Sequence, residues 1–260
     1  MSDQNSVGTH LAFDQFLTAI GSAANRFHDH ADQAGLEAAV PSCPEWDVAA
    51  LLSHQGMVHR WAAANLRGDS DHRTEDSETA AAAAPSLLDW FDEGARALLE
   101  TLIKAPADLE AMVFLPNAPP PRLFWARRQA HETTIHAVDA QAAVLQRLPR
   151  PDETMINEDL AVDGIDELLR GFLPRGGSKL RSETPYVIEI RAIDADQRWQ
   201  IAVSDQPPLS VRKTIRPPDA VISGMALELY LGLWNRTEDL MAEGRDDVVE
   251  QWRSQVRVRW

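Results

Sequence analysis

The stretch "HETTIH", residues 131–136, sets a carboxylate and an imidazole four positions apart, Glu132 and His136, with His131 beside them. On an α-helix four residues advance about 400°, so Glu132 and His136 lie only about 40° apart on one face. Both can reach one divalent ion from there. His131 falls about 140° away from His136 and cannot easily join them. The pair is at most part of a site, because catalytic zinc usually takes three protein ligands and keeps an open position. The third ligand has to come from another helix. Spacing alone leaves a second reading open. With 8 histidines and 40 acidic residues among 260, about one such pair arises by chance. A helix-face ion pair of this kind contributes only about 0.3–0.5 kcal/mol. The zinc-protease motif is a different pattern, since "HETTIH" has one residue too many between its histidines.

Other residues offer chemistry less directly. His54 stands mid-helix in "AALLSHQGMVHRW" among Leu51, Leu52 and Val58, so it should point inward. It is either a satisfied core histidine or a ligand of the kind that facing helices supply in bundles. His59, five residues on, faces elsewhere and reads as a surface or helix-packing residue. Cys43, in "PSCPEW", has no evident base or cationic neighbour to activate it and reads as a buried structural thiol. Trp46 and Trp125 read as core residues. Arg236, at the end of "LYLGLWNR", can interact with a helix C-terminus or clamp a carboxylate.

The elements that must position these residues follow from periodicity. Phe13, Phe16, Leu17, Ile20, Ala24 and Phe27 recur at three- and four-residue spacings and predict a helix over about 11–34. Asp47 can cap a second helix that Gly68 stops. "DSDHRTEDSET" reads as a polar loop. A third helix spans about Pro85 to Lys104, and after the rigid "FLPNAPPPR" a fourth runs from about Leu123 to Leu145. Four long amphipathic helices with long connections predict a four-helix bundle with room for crossover connections. After residue 150 the pattern changes. A short helix (Asp159–Phe172) precedes a hairpin of Tyr186–Ile193 and Arg198–Val203. A strand near Leu209–Ile215, a strand-like "AVIS", a helix and a possible edge strand "VRVRW" follow. The expected fold is α+β in two domains, a bundle over 1–150 and a smaller domain with a mixed or antiparallel sheet over 151–260.

Bulk properties exclude several function classes. The formal net charge of −15 argues against general affinity for nucleic acid or an anionic membrane. No apolar run approaches the roughly 20 residues that span a bilayer. A single cysteine precludes intramolecular disulfides, and with no signal-peptide pattern the expected setting is cytoplasmic.

Three segments taken together, "VPSCPEWDVAALLSHQGMVHRW", "FWARRQAHETTIHAVDAQ" and "DAVISGMALELYLGLWNR", resemble in order and distance the mycothiol-dependent maleylpyruvate isomerase family of actinobacteria. The likeness covers the chain from about Ala12. It implies a DinB-like metal-binding four-helix bundle followed by a domain similar to sterol carrier proteins. It also implies a divalent metal, usually taken as zinc, on His54, Glu132 and His136, with Arg236 holding a substrate carboxylate. The family also uses an arginine in its amino-terminal domain; the corresponding region here is alanine-rich, and the resemblance assigns that arginine to no residue. The implied activity is thiol transfer or cis–trans isomerisation. A small thiol, mycothiol, would be activated on the metal as a thiolate and added to an electrophilic small molecule. The alternative from another class is a structural metal, or none, with a carboxy-terminal domain that carries an apolar ligand.

Overall fold

Asp47, Ser86 and Asn157 start helices by one device, a side-chain oxygen that accepts an otherwise unpaired backbone N–H of the first turn. Asp47 accepts from Ala50 N at 2.8 Å, Ser86 from Asp89 N at 3.2 Å and Asn157 from Leu160 N at 2.8 Å. A computed structural model describes residues 11–116, 118–175 and 178–257. Its first helices are α1 (Phe13–Ala34), α2 (Val48–Arg67), α3 (Thr74–Ala83), α4 (Leu87–Lys104) and α5 (Pro121–Leu145). Gly35 and Gly68 end α1 and α2 at φ of 84° and 70°, values that residues with a Cβ adopt at a cost.

Helix α3 departs from the sequence expectation of a polar loop over "DSDHRTEDSET". Glu75 and Asp76 fall in its first turn, where they complement the helix dipole, and Ala80 to Ala83 complete it. Alanine has the highest helix propensity of all residues, and that outweighs the polarity of the segment.

The chain divides into two compact units. One comprises Leu11–Val113 and Pro119–Pro149, and the other Phe114–Ala118 with the chain from Arg150 onward. In the first, α1 packs along α5 and α4, and α2 packs along α4 and α5. Helices α1 and α2 therefore occupy diagonal positions, which an up-down order of neighbours would not produce. Phe27, Val48, Leu51, Leu52 and Phe91 form the centre of its core, with Ala23, Ala137 and Ala140 filling the narrow gaps.

Close approach of α2 to α4 depends on Gly56. A Cβ built there would run into the Trp90 ring. Trp90 cannot easily yield, because Arg60 stacks on it at 3.7 Å and donates to its carbonyl oxygen at 2.7 Å. Gly→Ala in an open helix stabilises by roughly 0.5–1 kcal/mol. Here Gly56→Ala is expected to destabilise by about 1–3 kcal/mol through overpacking, measurable as a lowered urea midpoint at unchanged slope.

Helix α5 is not the amphipathic helix expected. Every residue from Phe124 to Ala140 is buried, including Arg127, Arg128, His131, Glu132 and Asp139. Buried polar side chains require partners. The polar residues of α5 therefore lie inside the protein, several of them paired there, and do not form a solvated face.

The second unit contains α6 (Glu158–Asp166), which widens into a π-helical segment over Glu167–Phe172 and then tightens to a 3-10 turn, Leu173–Arg175. The sequence expectation was one regular helix to Phe172. Its sheet consists of β1 (Tyr186–Ala192), β2 (Gln197–Val203), β3 (Leu209–Val211), β4 (Ala220–Gly224) and β5 (Ala242–Gly244), ordered β3-β2-β1-β4-β5. Strands β1 and β2 form the expected antiparallel hairpin, with Ile190 opposite Trp199, while β1 and β4 run parallel. The sheet is therefore mixed. Trp199 Nε1 and Arg212 Nε both donate to Asp166 Oδ1, at 2.9 and 2.7 Å, and tie α6 to the sheet.

Helix α7 (Ala226–Leu233) follows β4, and α8 (Val248–Gln255) closes the described chain. Strand β5 and α8 had no clear sequence signal. The tail expected as an edge strand is not one at Val256 and Arg257, and its last three residues lie outside those described.

Candidate metal centre

Helix α2 carries His54, and α5 carries Glu132 and His136 one turn apart. One ligand atom from each of the three lies within 4.8 Å of the others. His136 Nε2 is 3.4 Å and His54 Nε2 3.7 Å from Glu132 Oε1. His54 Nε2 and Glu132 Oε1 are buried, and neither has a hydrogen-bond partner. Two orphaned polar atoms converging in a buried place are costly unless a further group satisfies them. A divalent cation fits this donor set of two imidazoles and one carboxylate.

The other atoms of these side chains are occupied, so their orientation is fixed. Arg128, one turn before Glu132, donates to Glu132 Oε2 at 2.6 Å and leaves Oε1 facing the histidines. His136 Nδ1 is 2.9 Å from Asp139 Oδ2. With Nδ1–H donating to that carboxylate, the neutral ring keeps its lone pair on Nε2, the arrangement typical of metal-binding histidines. Burial alone would raise the Glu132 pKa, but the Arg128 charge and the nearby His136 and His54 imidazoles outweigh it. They hold the carboxyl well below its ordinary value. Burial alone would likewise lower His136, yet its bond to Asp139 and the nearby Glu132 carboxylate raise it to about 9.

The segment before α2 lies against this cluster. Trp46 N donates to the Cys43 carbonyl at 2.8 Å, and Val40 N to the Trp46 carbonyl at 3.1 Å, so residues 40–46 form a tight reversal. It sets the Trp46 ring 4.8 Å from that of His54 and 6.1 Å from that of His136. Ser42 Oγ donates to Asp139 Oδ1 at 2.5 Å, and Cys43 Sγ lies 3.7 Å from Asp139 Oδ2. Two sequence expectations change here. Trp46 is half-buried against the histidines and not part of the core, and Cys43 is half-buried and not buried. The reversal in the chain turns both toward the α5 residues.

His54, Glu132 and His136, nominated from the sequence, are thus brought together. His131 turns away from them, buried edge-on to Phe16 of α1 at 6.3 Å. Arg236 belongs to the second unit, three residues beyond the end of α7 and not on that helix. Its backbone N–H donates to the Leu231 carbonyl, and its Nη1 to the Trp234 carbonyl, both at 2.7 Å. Sequence reasoning missed Arg128 and Asp139. Each had a readable signal, one turn from a nominated ligand and of a charge type able to orient it. Among the described residues, no helix is long and apolar enough to cross a membrane.

Comparison with known proteins agrees with this architecture. No curated protein sequence matches the chain. A crystal structure of the mycothiol-dependent maleylpyruvate isomerase aligns with a TM-score of 0.63 at 13% identity, covering 95% of this chain and 98% of that one. A histidine-to-alanine variant of that enzyme aligns at 0.64 and 12% identity with the same coverage. At such identity the likeness concerns the fold. A family profile described as the mycothiol maleylpyruvate isomerase N-terminal domain matches residues 17–141, and one described as the MDMPI C-terminal domain matches residues 159–251. With both profiles matched in order along most of its length, the chain belongs to the mycothiol maleylpyruvate isomerase family of enzymes.

Proposed function

We propose that this protein is a divalent-metal-dependent enzyme, with zinc as the metal, that uses mycothiol as a thiol cosubstrate on a small electrophile in the cytoplasm of an actinobacterium. The observation that carries the reading is the convergence of His54 Nε2, His136 Nε2 and Glu132 Oε1, two of them buried and unpartnered. When bound, a divalent ion would lower the pKa of a small thiol and supply its thiolate at neutral pH.

The residues of the chain prepare that chemistry. His54, Glu132 and His136 would hold the ion through two neutral donors and one negative one, leaving a net positive centre that favours an anionic sulfur. Asp139 keeps the His136 proton on Nδ1, and Arg128 keeps Glu132 ionised and turned inward. Trp46 covers the His54 ring and restricts water on that side. Arg236 is assigned to a carboxylate of the electrophile, a role that suits the planar fork of its guanidinium. The substrate class is a small anionic molecule with an activated cis double bond, of which maleylpyruvate is the example in the named relatives. Thiol addition, rotation and elimination would isomerise it. Retention of the new C–S bond would leave a conjugate.

The test combines metal analysis with turnover. Purified under metal-replete conditions, the protein is expected to carry one divalent ion per chain and to turn over maleylpyruvate only with a thiol present. His54→Ala should weaken metal binding by more than about 100-fold. Arg236→Ala should leave metal content unchanged and lower turnover, without rescue by Lys. Absence of stoichiometric metal from the wild type would sink the reading. Bound metal whose removal lowers only thermal stability, with no thiol-dependent turnover, would make the site structural.

A further inference from the structure

Next to the ligand pair that joins α2 to α5 stands a second buried polar contact between the same helices. His54 and Glu132 are 78 positions apart, and so are their immediate successors Gln55 and Thr133. Gln55 Nε2 donates to Thr133 Oγ1 at 3.2 Å and to His59 Nε2 at 2.8 Å, and Thr133 Oγ1 is 2.9 Å from that same His59 nitrogen. Gln55, His59 and Thr133 are each fully buried. Burial also depresses the His59 pKa, to about 3, so the imidazole is neutral and can accept. None of the three belongs to the donor set of the candidate centre.

A hydrogen-bonded triangle of this kind forms at only one rotation and one longitudinal register of α2 against α5, even though Gln55 Oε1 and His59 Nδ1 stay buried without partners. Sliding or turning either helix by a residue would leave buried polar groups without partners. Apolar contacts, largely alanine and leucine here, tolerate such small shifts better. The ligands depend on the same register, because His54 comes from one helix and Glu132 and His136 from the other. A displacement of about 1 Å is enough to degrade a preorganised site.

We infer that Gln55, His59 and Thr133 are positioning residues for the metal centre, a buried pin that sets α2 against α5 so that His54 meets the α5 ligands. This inference rests on the metal reading proposed above.

The test is cobalt(II) and zinc(II) titration of the full chain, followed by visible absorption and competition with a chelating indicator. Thr133→Val keeps shape and removes the hydroxyl. It is expected to weaken metal binding about 10–100-fold and to alter the cobalt spectrum, with helical circular dichroism retained. Thr133→Ser restores the hydroxyl and should restore both affinity and spectrum. Gln55→Met removes the partner from the opposite helix, should show the same loss, and serves if Thr133→Val does not fold. Wild-type affinity and spectrum in the folded valine or methionine variant would overturn the pin while leaving the metal reading intact. Failure of the wild type to bind either ion would overturn both.

Discussion

Glu132→Gln is expected to abolish stoichiometric metal binding and also to destabilise the metal-free fold by about 3–5 kcal/mol, the range for removing one partner of a buried ion pair. Two separate jobs of one carboxylate make this the largest single-site effect. Its Oε1 faces His54 and His136, while its Oε2 accepts from Arg128. The side chains of Arg128 and Glu132 are only 1% and 4% exposed, so solvent cannot replace what the substitution removes. A neutral amide keeps the shape and forfeits the charge. The two effects separate experimentally. Urea unfolding of apoprotein reports the loss of the Arg128 pair, and metal titration of the folded remainder reports the loss of the ligand. Apoprotein stability within about 0.5 kcal/mol of wild type, the usual limit for a benign surface change, would show that the Arg128–Glu132 pair is not the buried anchor described.

The second large effect concerns pH. The His136 pKa is raised to about 9 by Asp139 and Glu132 against the opposing effect of burial. A metal ligand must be the neutral imidazole. Below pH 9 a proton therefore competes for Nε2. Apparent affinity should climb about tenfold per pH unit near pH 7, about 50-fold in all from pH 7 to 9, and then level off. Uptake at pH 7 should release close to one proton per ion, countable with an indicator dye in weak buffer. Glu132 adds no slope there because its pKa is depressed. Asp139→Asn removes a raising partner and should flatten the dependence. In the metal-free protein the sign is the opposite one. A folded pKa above the unfolded value near 6.5 stabilises fully below about pH 6.5, and that contribution is lost as pH rises through 9. A wild-type affinity flat between pH 7 and 9 would contradict the assignment of His136 as a ligand that loses a proton.

Much of the architecture was legible because local rules and tertiary packing agree where the helices are long. The periodicity of Phe16, Ile20 and Phe27, the Asp47 cap and the Gly68 stop all reappear in the structure. The β1–β2 hairpin does too. Disagreement arose where one residue property had to outweigh another. In α3, alanine propensity prevailed over polarity. In α5, the eye for amphipathic faces failed, because charged residues paired with one another inside the protein are indistinguishable in sequence from charged residues facing water. At the site, the spacing of Glu132 and His136 and the inward position of His54 were readable, and the family resemblance joined them. Trp46, Ser42 and Cys43 were not, since a reversal over 40–46 brings them to Asp139 across 96 or more positions for the two whose bonds reach it. The π-helical turn after Asp166 also had no readable cue.

The diagonal placement of α1 and α2 bears on how the protein is made. As the chain leaves the ribosome, α2 emerges long before α5, its eventual partner across a separation of 78 residues. Until then Gln55 and His59 have no Thr133 to bond, and His54 has no carboxylate to face. Closing so long a loop carries an entropic penalty that only the finished helix pair repays. Contacts of such sequence separation slow folding. Metal loading would therefore have to wait for α5, and an ion that bridges α2 and α5 would act as a clamp on the last helix of the bundle to arrive. By binding the folded form alone, it would convert a bundle closed across a long-range contact into one whose lifetime depends on the supply of metal in the cell.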